Sequence, residues 1–360
     1  MKVSFTKPSS NYFEGEKECL SNKRIIYFDF LNILACIGVV YMHVCDGFFN
    51  KTDDWQWYYE AFVNHVCYWA VPVFFMLTGA TLIGTKDSIK IYACKRIKRT
   101  VIPFLVWSII GLIFNILTGD ISVSENVLYY LNLILNTQIP VVDIYWFFIP
   151  LFAIYLCVPV LNTIRDSFKV RAYLFLIAYS FISYFLLPLL SNIGIQTNVL
   201  IQNPMAAGYL IYPLLGYILS RYAFVKRQRI MIYVFGVVVF MLWFGACIFQ
   251  SVSANSTVLF MRGYYSLPLI IVSCAVFVFI GNWSIFSTEW MIKHSSLLTF
   301  VSSLSFGIYL VHRFFIKILT HILPNMITNV WPVIGPVLVY GVSAVFVLLL
   351  KRLPFLRSIV

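Results

Sequence analysis

Charge is scarce in this chain. Only 11% of its 360 residues are Asp, Glu, Lys or Arg, and the acidic ones number 14. A soluble globular domain carries about a quarter charged residues, so an ordinary water-soluble fold is excluded. The common nucleotide and metal signatures are missing too. There is no Walker loop, no GxGxxG and no HExxH, which removes P-loop, dinucleotide and zinc-protease chemistry. No metal is expected. The eight cysteines form no CxxC pair, and most fall in apolar runs where a thiol serves as a small filler. Cys45 and Cys67 fall near the outer ends of adjacent spans, which leaves a disulfide between them open. No cleavable signal peptide is apparent, because residues 1–23 are polar, carry both signs of charge and run directly into an apolar segment. No internal duplication or dividing linker is visible. The organisation expected is a cytoplasmic N-terminal tail (1–23), one membrane domain (24–350) and a cytoplasmic C-terminal tail (351–360).

What is abundant is apolar surface: 61% of residues are hydrophobic. The pattern predicts an all-α polytopic membrane protein with about ten transmembrane helices. The spans expected are 25–45, 63–84, 100–118, 144–163, 172–190, 205–220, 230–249, 264–282, 297–318 and 330–350, with 124–138 as an amphipathic or re-entrant segment. Charge asymmetry orients them. With the N-terminus inside, 22 of the 26 Lys and Arg fall in inner segments, and only Lys51 and Arg262 fall in outer loops. Arg313 and Lys317 lie within the ninth span. Both termini are therefore expected in the cytoplasm of a multi-pass plasma-membrane protein. The net charge of +12 reports this orientation and contact with anionic lipid, not nucleic-acid binding.

Against that background a few polar residues stand out. The stretch Arg24 to Asp46 reads as one span with Asp29, Asn32 and His43 on a single stripe, since a helix turns about 100° per residue. Ionisable groups at such depth are costly and usually serve a pathway or a reaction, the alternative being a capping Asp and an interfacial His. His43 falls near the outer face, Asn32 about 16 Å below it and Asp29 deeper still. They cannot converge on one reacting group or form a triad, but they can line a path from the cytoplasm to an outer site. His65 and His312 fall at a similar outer depth, His65 reading as an interfacial imidazole. Ser305 and His312 share a face of the ninth span, with Arg313 beside them. Histidine suits proton abstraction from a hydroxyl near neutral pH. Lys95, Arg96, Lys98 and Arg99 form an inner basic collar, either lipid-facing or gripping the phosphates of a nucleotide-type donor. Trp55, Trp57, Tyr58 and Tyr59 read as an interfacial belt, with sugar stacking as the alternative.

The blocks YFDFLNILACIGVVYMH, VPVFFMLTGATLI, KRIKRTVIPFLVWSI, YWFFIPLFAIYLCVPVLN, YPLLGYILS and SLSFGIYLVH occur in the order seen in the acyltransferase-3 family of integral membrane acyltransferases. The chain resembles that family over residues 24–350. The family hallmark is an Arg, ten residues, then a His in the first span; His43 matches the His, whereas Asn32 stands at the Arg position. Asn can donate a hydrogen bond but cannot neutralise an anion, which leaves Arg313 or the collar to supply that charge. The resemblance implies transfer of an acyl group, commonly acetyl, from cytoplasmic acyl-CoA to a hydroxyl of a surface polysaccharide or its lipid-linked saccharide precursor. It makes His43, Asn32 and Asp29 the candidate catalytic residues, His312, Arg313 and Ser305 their support, and the collar the donor phosphate site. His43 acts either as general base or as a covalent acyl carrier. The competing readings are a transporter or flippase of a lipid-linked sugar, against which no matched pair of broken helices is visible, and a membrane-assembly component without chemistry.

Overall fold

The computed structural model describes residues 25–124, 126–192, 194–195, 208–323 and 330–360; the N-terminal tail 1–23 lies outside them. The described residues are helical and contain no β-strand. Eight helices are long and apolar enough to cross a membrane: α1 (Ile26–Val44), α2 (Trp55–Leu82), α3 (Ile89–Leu117), α4 (Pro140–Asn162), α5 (Asp166–Ser191), α7 (Lys226–Ser253), α8 (Leu267–Ser287) and α10 (Trp331–Arg352). A ninth, α9, is a bent pair, Ser295–Ser302 and Ser305–Ile322, meeting at 46°. The tenth span expected, 205–220, is represented by α6 (Ile211–Arg221), too short to cross by itself; residues 205–207 lie outside the described residues. The 124–138 segment contains a separate helix, Val127–Leu135, with none of its residues buried.

In lipid the hydrophobic effect does not drive helices together, so close packing of small residues and interhelical hydrogen bonds must do so. Both are evident. Gly79 of α2 and Gly216 of α6 face one another's backbones, and a Cβ on either would overlap the carbonyl of Pro213 or of Met76. Gly38 lets α1 approach Ala70 in the same way, with 3.3 Å between the Ala70 Cβ and an added Cβ. As a result α1 packs against α2, α8, α9 and α10, which puts its polar stripe inside the protein. Helices α5 and α7 hold the fewest buried residues and carry large exposed side chains such as Phe175 and Leu242, as lipid-facing spans should.

Cys45 and Cys67 are both free thiols. Cys45 Sγ instead donates to the Pro332 carbonyl at 3.5 Å, fastening the end of α1 to the start of α10. The disulfide left open by the sequence is not formed.

Candidate active site

The polar residues divide between two ends of the bundle. At one end, the rings of His43 (α1) and His312 (α9) lie 5.5 Å apart between centroids. His312 is fully buried, and its Nδ1 lies 2.8 Å from the Tyr309 carbonyl and 3.2 Å from that of Ile308. Carbonyls only accept, so this geometry assigns the proton of a neutral ring to Nδ1 and leaves Nε2 as an acceptor. Among the described residues Nε2 has no partner. His43 is only partly buried and is thus the reachable member of the pair.

Carboxylates that were not singled out in the sequence lie at this end. Arg313 pairs with Asp143 at 3.5 Å. Asp46, just past α1, has its pKa pushed up by burial, with Arg313 opposing the shift. Lys317 contacts Asp120 and donates to Thr118 Oγ1 at 3.0 Å; the hydrogen bonds that Lys317 and Thr118 donate to the Asp120 carboxyl hold it below its usual range. Asn64 of α2 secures the turn that carries His43. Its Nδ2 donates to the Cys45 carbonyl at 2.7 Å and the Met42 carbonyl at 3.5 Å, while its Oδ1 accepts from Arg262 at 2.5 Å. The Arg262 guanidinium lies 4.5 Å from the Tyr68 ring centroid and 4.8 Å from that of Phe48.

His65 stands apart. It is buried rather than interfacial, its Nδ1 donates to the Ala61 carbonyl at 2.8 Å, and Phe48, Trp243 and Phe244 present edges to it. That is a structural histidine. Of the aromatic quartet, Trp57 is likewise buried, with Nε1 donating to the Phe48 carbonyl at 3.0 Å, whereas Trp55 and Tyr58 are exposed.

At the other end a cavity of about 740 Å³ opens among α1, α2, α3, α4, α6 and α9, within the usual size of small-molecule sites. Asp29 and Asn32 are in its wall, whereas His43 is not. Asp29 accepts from Thr299 Oγ1 at 2.8 Å, and Asn32 donates to both the carbonyl and the hydroxyl of Ser302, each at 3.0 Å. Ser302 ends the first half of α9, where helical carbonyls lose their partners. Asn32 therefore caps a broken helix. Ser305, just beyond the break, also lines the cavity, and its buried Oγ has no partner among the described residues.

The basic collar splits on this cavity. Arg96 and Arg99, three residues apart on one face, line it; Lys95 and Lys98 do not. Lys95 instead pairs with Asp87 at 2.7 Å. Arg96 lies 5.6 Å from the Tyr155 ring centroid, and its buried Nε has no partner among the described residues. A third cation, Arg221, was counted in the sequence only as a topological charge. It lines the cavity from α6, its guanidinium 4.0 Å from the Tyr217 ring centroid. Arg221 is held in place by donating to the carbonyls of Ala80 and Ile83, each at 3.4 Å, and the three arginines together make a suitable grip for a phosphorylated ligand.

The two ends meet at Tyr309. Its ring lines the cavity and lies 5.9 Å from the His312 ring, which in turn contacts His43. Asp29 and Asn32 thus share the cavity, His43 lies beyond Tyr309 and His312, and the three do not form one cluster.

Comparison with known proteins finds no match among curated proteins and none among solved structures. The family model for the acyltransferase domain of the acyltransferase-3 family matches residues 25–352, which takes in both polar ends of the bundle and every helix that borders them. The chain belongs to the acyltransferase-3 family and is a multi-pass membrane acyltransferase.

Proposed function

We propose that the protein moves an acetyl or similarly short acyl group from cytoplasmic acyl-CoA to a hydroxyl of a cell-surface polysaccharide or its lipid-linked precursor. The basic end then faces the cytoplasm and the histidine end faces outward in the plasma membrane. The observation that carries this reading is the series of contacts from an arginine-lined cavity, through Tyr309, to the His312–His43 pair. Arg96, Arg99 and Arg221 hold the donor phosphates. The acyl thioester enters foremost, towards Tyr309.

His43, the partly exposed histidine, takes the proton from the acceptor hydroxyl. The oxygen bonds to the acyl carbon, the carbon–sulfur bond breaks, and the CoA thiolate leaves and takes up the proton from His43. In the reaction the His43 ring turns to donate its N–H to the Nε2 of His312, unpartnered among the described residues, and this bond holds the imidazole in the tautomer a base requires. Arg313 stabilises negative charge developing on the thioester oxygen. Asn32 and Asp29 act at the donor end: Asn32 holds the break of α9 in place, and Asp29 fixes Thr299.

Mass spectrometry of the envelope glycan from a deletion strain tests the reading. Loss of an ester-linked acyl group from an otherwise intact, exported polymer is expected. Loss of exported polymer with acylation retained contradicts it and favours a transporter of the lipid-linked sugar.

A further inference from the structure

Two aromatic rings stand side by side in the wall of the donor cavity, and one of them also contacts His312. Tyr309 and Phe147 both line the cavity, and their rings lie 5.7 Å apart. Behind Tyr309 is His312, fully buried. Neither ring is loosely held. Tyr309 Oη donates to the Ile144 carbonyl at 2.6 Å, and one residue along each helix Tyr145 Oη donates to the Leu310 carbonyl at 2.8 Å. The two bonds run in opposite directions and stitch α9 to the start of α4. Phe147 is stacked on Phe75 with centroids 4.6 Å apart. Close-packed interiors resist added volume, and side chains pinned at both ends resist it most.

We infer that Tyr309 and Phe147 determine which acyl group is transferred, admitting only short chains. The inference rests on the proposed donor assignment. With the phosphates held by the arginines, the acyl group is the leading end of the donor; its carbonyl carbon must come within reach of the hydroxyl at His43, which leaves the rest of the chain to be accommodated against Tyr309 and Phe147. A two-carbon group has little to accommodate beyond the thioester carbon. Each further methylene must displace a pinned ring, and a pocket that misfits by one methylene discriminates by about tenfold or more. Neither residue touches a phosphate or holds a proton in the mechanism, so their effect falls on acyl preference.

The full-length chain in proteoliposomes made from the host's lipid extract provides the test. Acetyl-, butyryl- and hexanoyl-CoA are supplied in turn, and both thiol release and ester-linked product are followed. The wild-type protein is expected to show kcat/KM falling by about tenfold or more from acetyl to butyryl and again to hexanoyl. Phe147→Ala, or Phe147→Leu if the alanine variant does not fold, and Tyr309→Leu should raise the hexanoyl-to-acetyl ratio about tenfold or more. A wild-type protein that uses hexanoyl-CoA as well as acetyl-CoA overturns the inference without any variant. So does a folded variant that keeps the wild-type ratio. Failure to transfer from all three thioesters overturns the donor assignment itself, and this inference with it.

Discussion

The side-chain amide of Asn32 donates to both the carbonyl and the hydroxyl of Ser302, each at 3.0 Å, across 270 positions of sequence. This contact explains why an uncharged residue is suited to a position where the family hallmark has Arg. The break in α9 exposes a backbone carbonyl beside α1, and within a membrane such a group must find a donor from protein. An amide does this at short range without introducing a charge that needs a counterion.

Asn32→Ala removes both hydrogen bonds. Interhelical bonds in membrane proteins are worth about 0.6 kcal/mol each on average, so a loss of about 1 kcal/mol of stability is expected. Asn32→Asp should cost more, since an ionised carboxylate cannot donate to the Ser302 carbonyl and lies one helical turn from Asp29. Thermal unfolding of the purified variants in detergent gives the ranking. Equal stability of the Ala and Asp variants would count against the capping role.

The split collar makes a sharper prediction. Arg96→Ala or Arg99→Ala should raise KM for acetyl-CoA by about tenfold or more, since a hydrogen bond to a charged group contributes about 1.5–3 kcal/mol. Lys95→Ala and Lys98→Ala should change KM less than about twofold, because exposed charges away from the cavity contribute little. Steady-state kinetics on the four variants separates the pairs. Equal effects from all four would mean the collar acts only as a diffuse basic surface.

Asn64→Ala should leave acetyl-CoA binding intact and lower kcat. The substitution releases the carbonyls of Met42 and Cys45, which flank His43, and takes from Arg262 the acceptor of its Nη2. A buried charged group left unsatisfied costs more than about 1–3 kcal/mol, so stability should fall with activity. Asn64→Asp keeps the acceptor for Arg262 while removing the donor, and should recover the stability but not the rate. A variant in which kcat and stability recover together would assign Asn64 to folding alone.

The residues that reasoning from sequence located best are those whose meaning is local. The stripe of Asp29, Asn32 and His43 follows from helical period alone, and their separation in depth from the rise per residue. The positions of the long spans followed from their apolar runs in the same way. What stayed hidden depends on tertiary contact. No Pro or Gly marks the break at Ser303, so the partner that makes Asn32 intelligible was invisible. Arg221 carries the same charge as its neighbours in the 221–229 loop, and only the packing of α6 against α2 turns it towards the cavity. Asn64 and Arg262 are 198 positions apart, and Asp143 lies just ahead of the apolar span expected at 144–163. Tyr309 resembled any core aromatic until the cavity on one side and His312 on the other gave it two faces.

The measurement closest to the central claim is transfer by His43→Ala in proteoliposomes supplied with acetyl-CoA, with folding checked by the variant's retained affinity for CoA. Loss of a general base typically costs about 10²–10⁴-fold, so kcat should fall by at least about a hundredfold while CoA binding is preserved, and His43→Gln should not restore it. A correctly folded His43→Ala protein that transfers acyl groups at near wild-type rate would contradict the account.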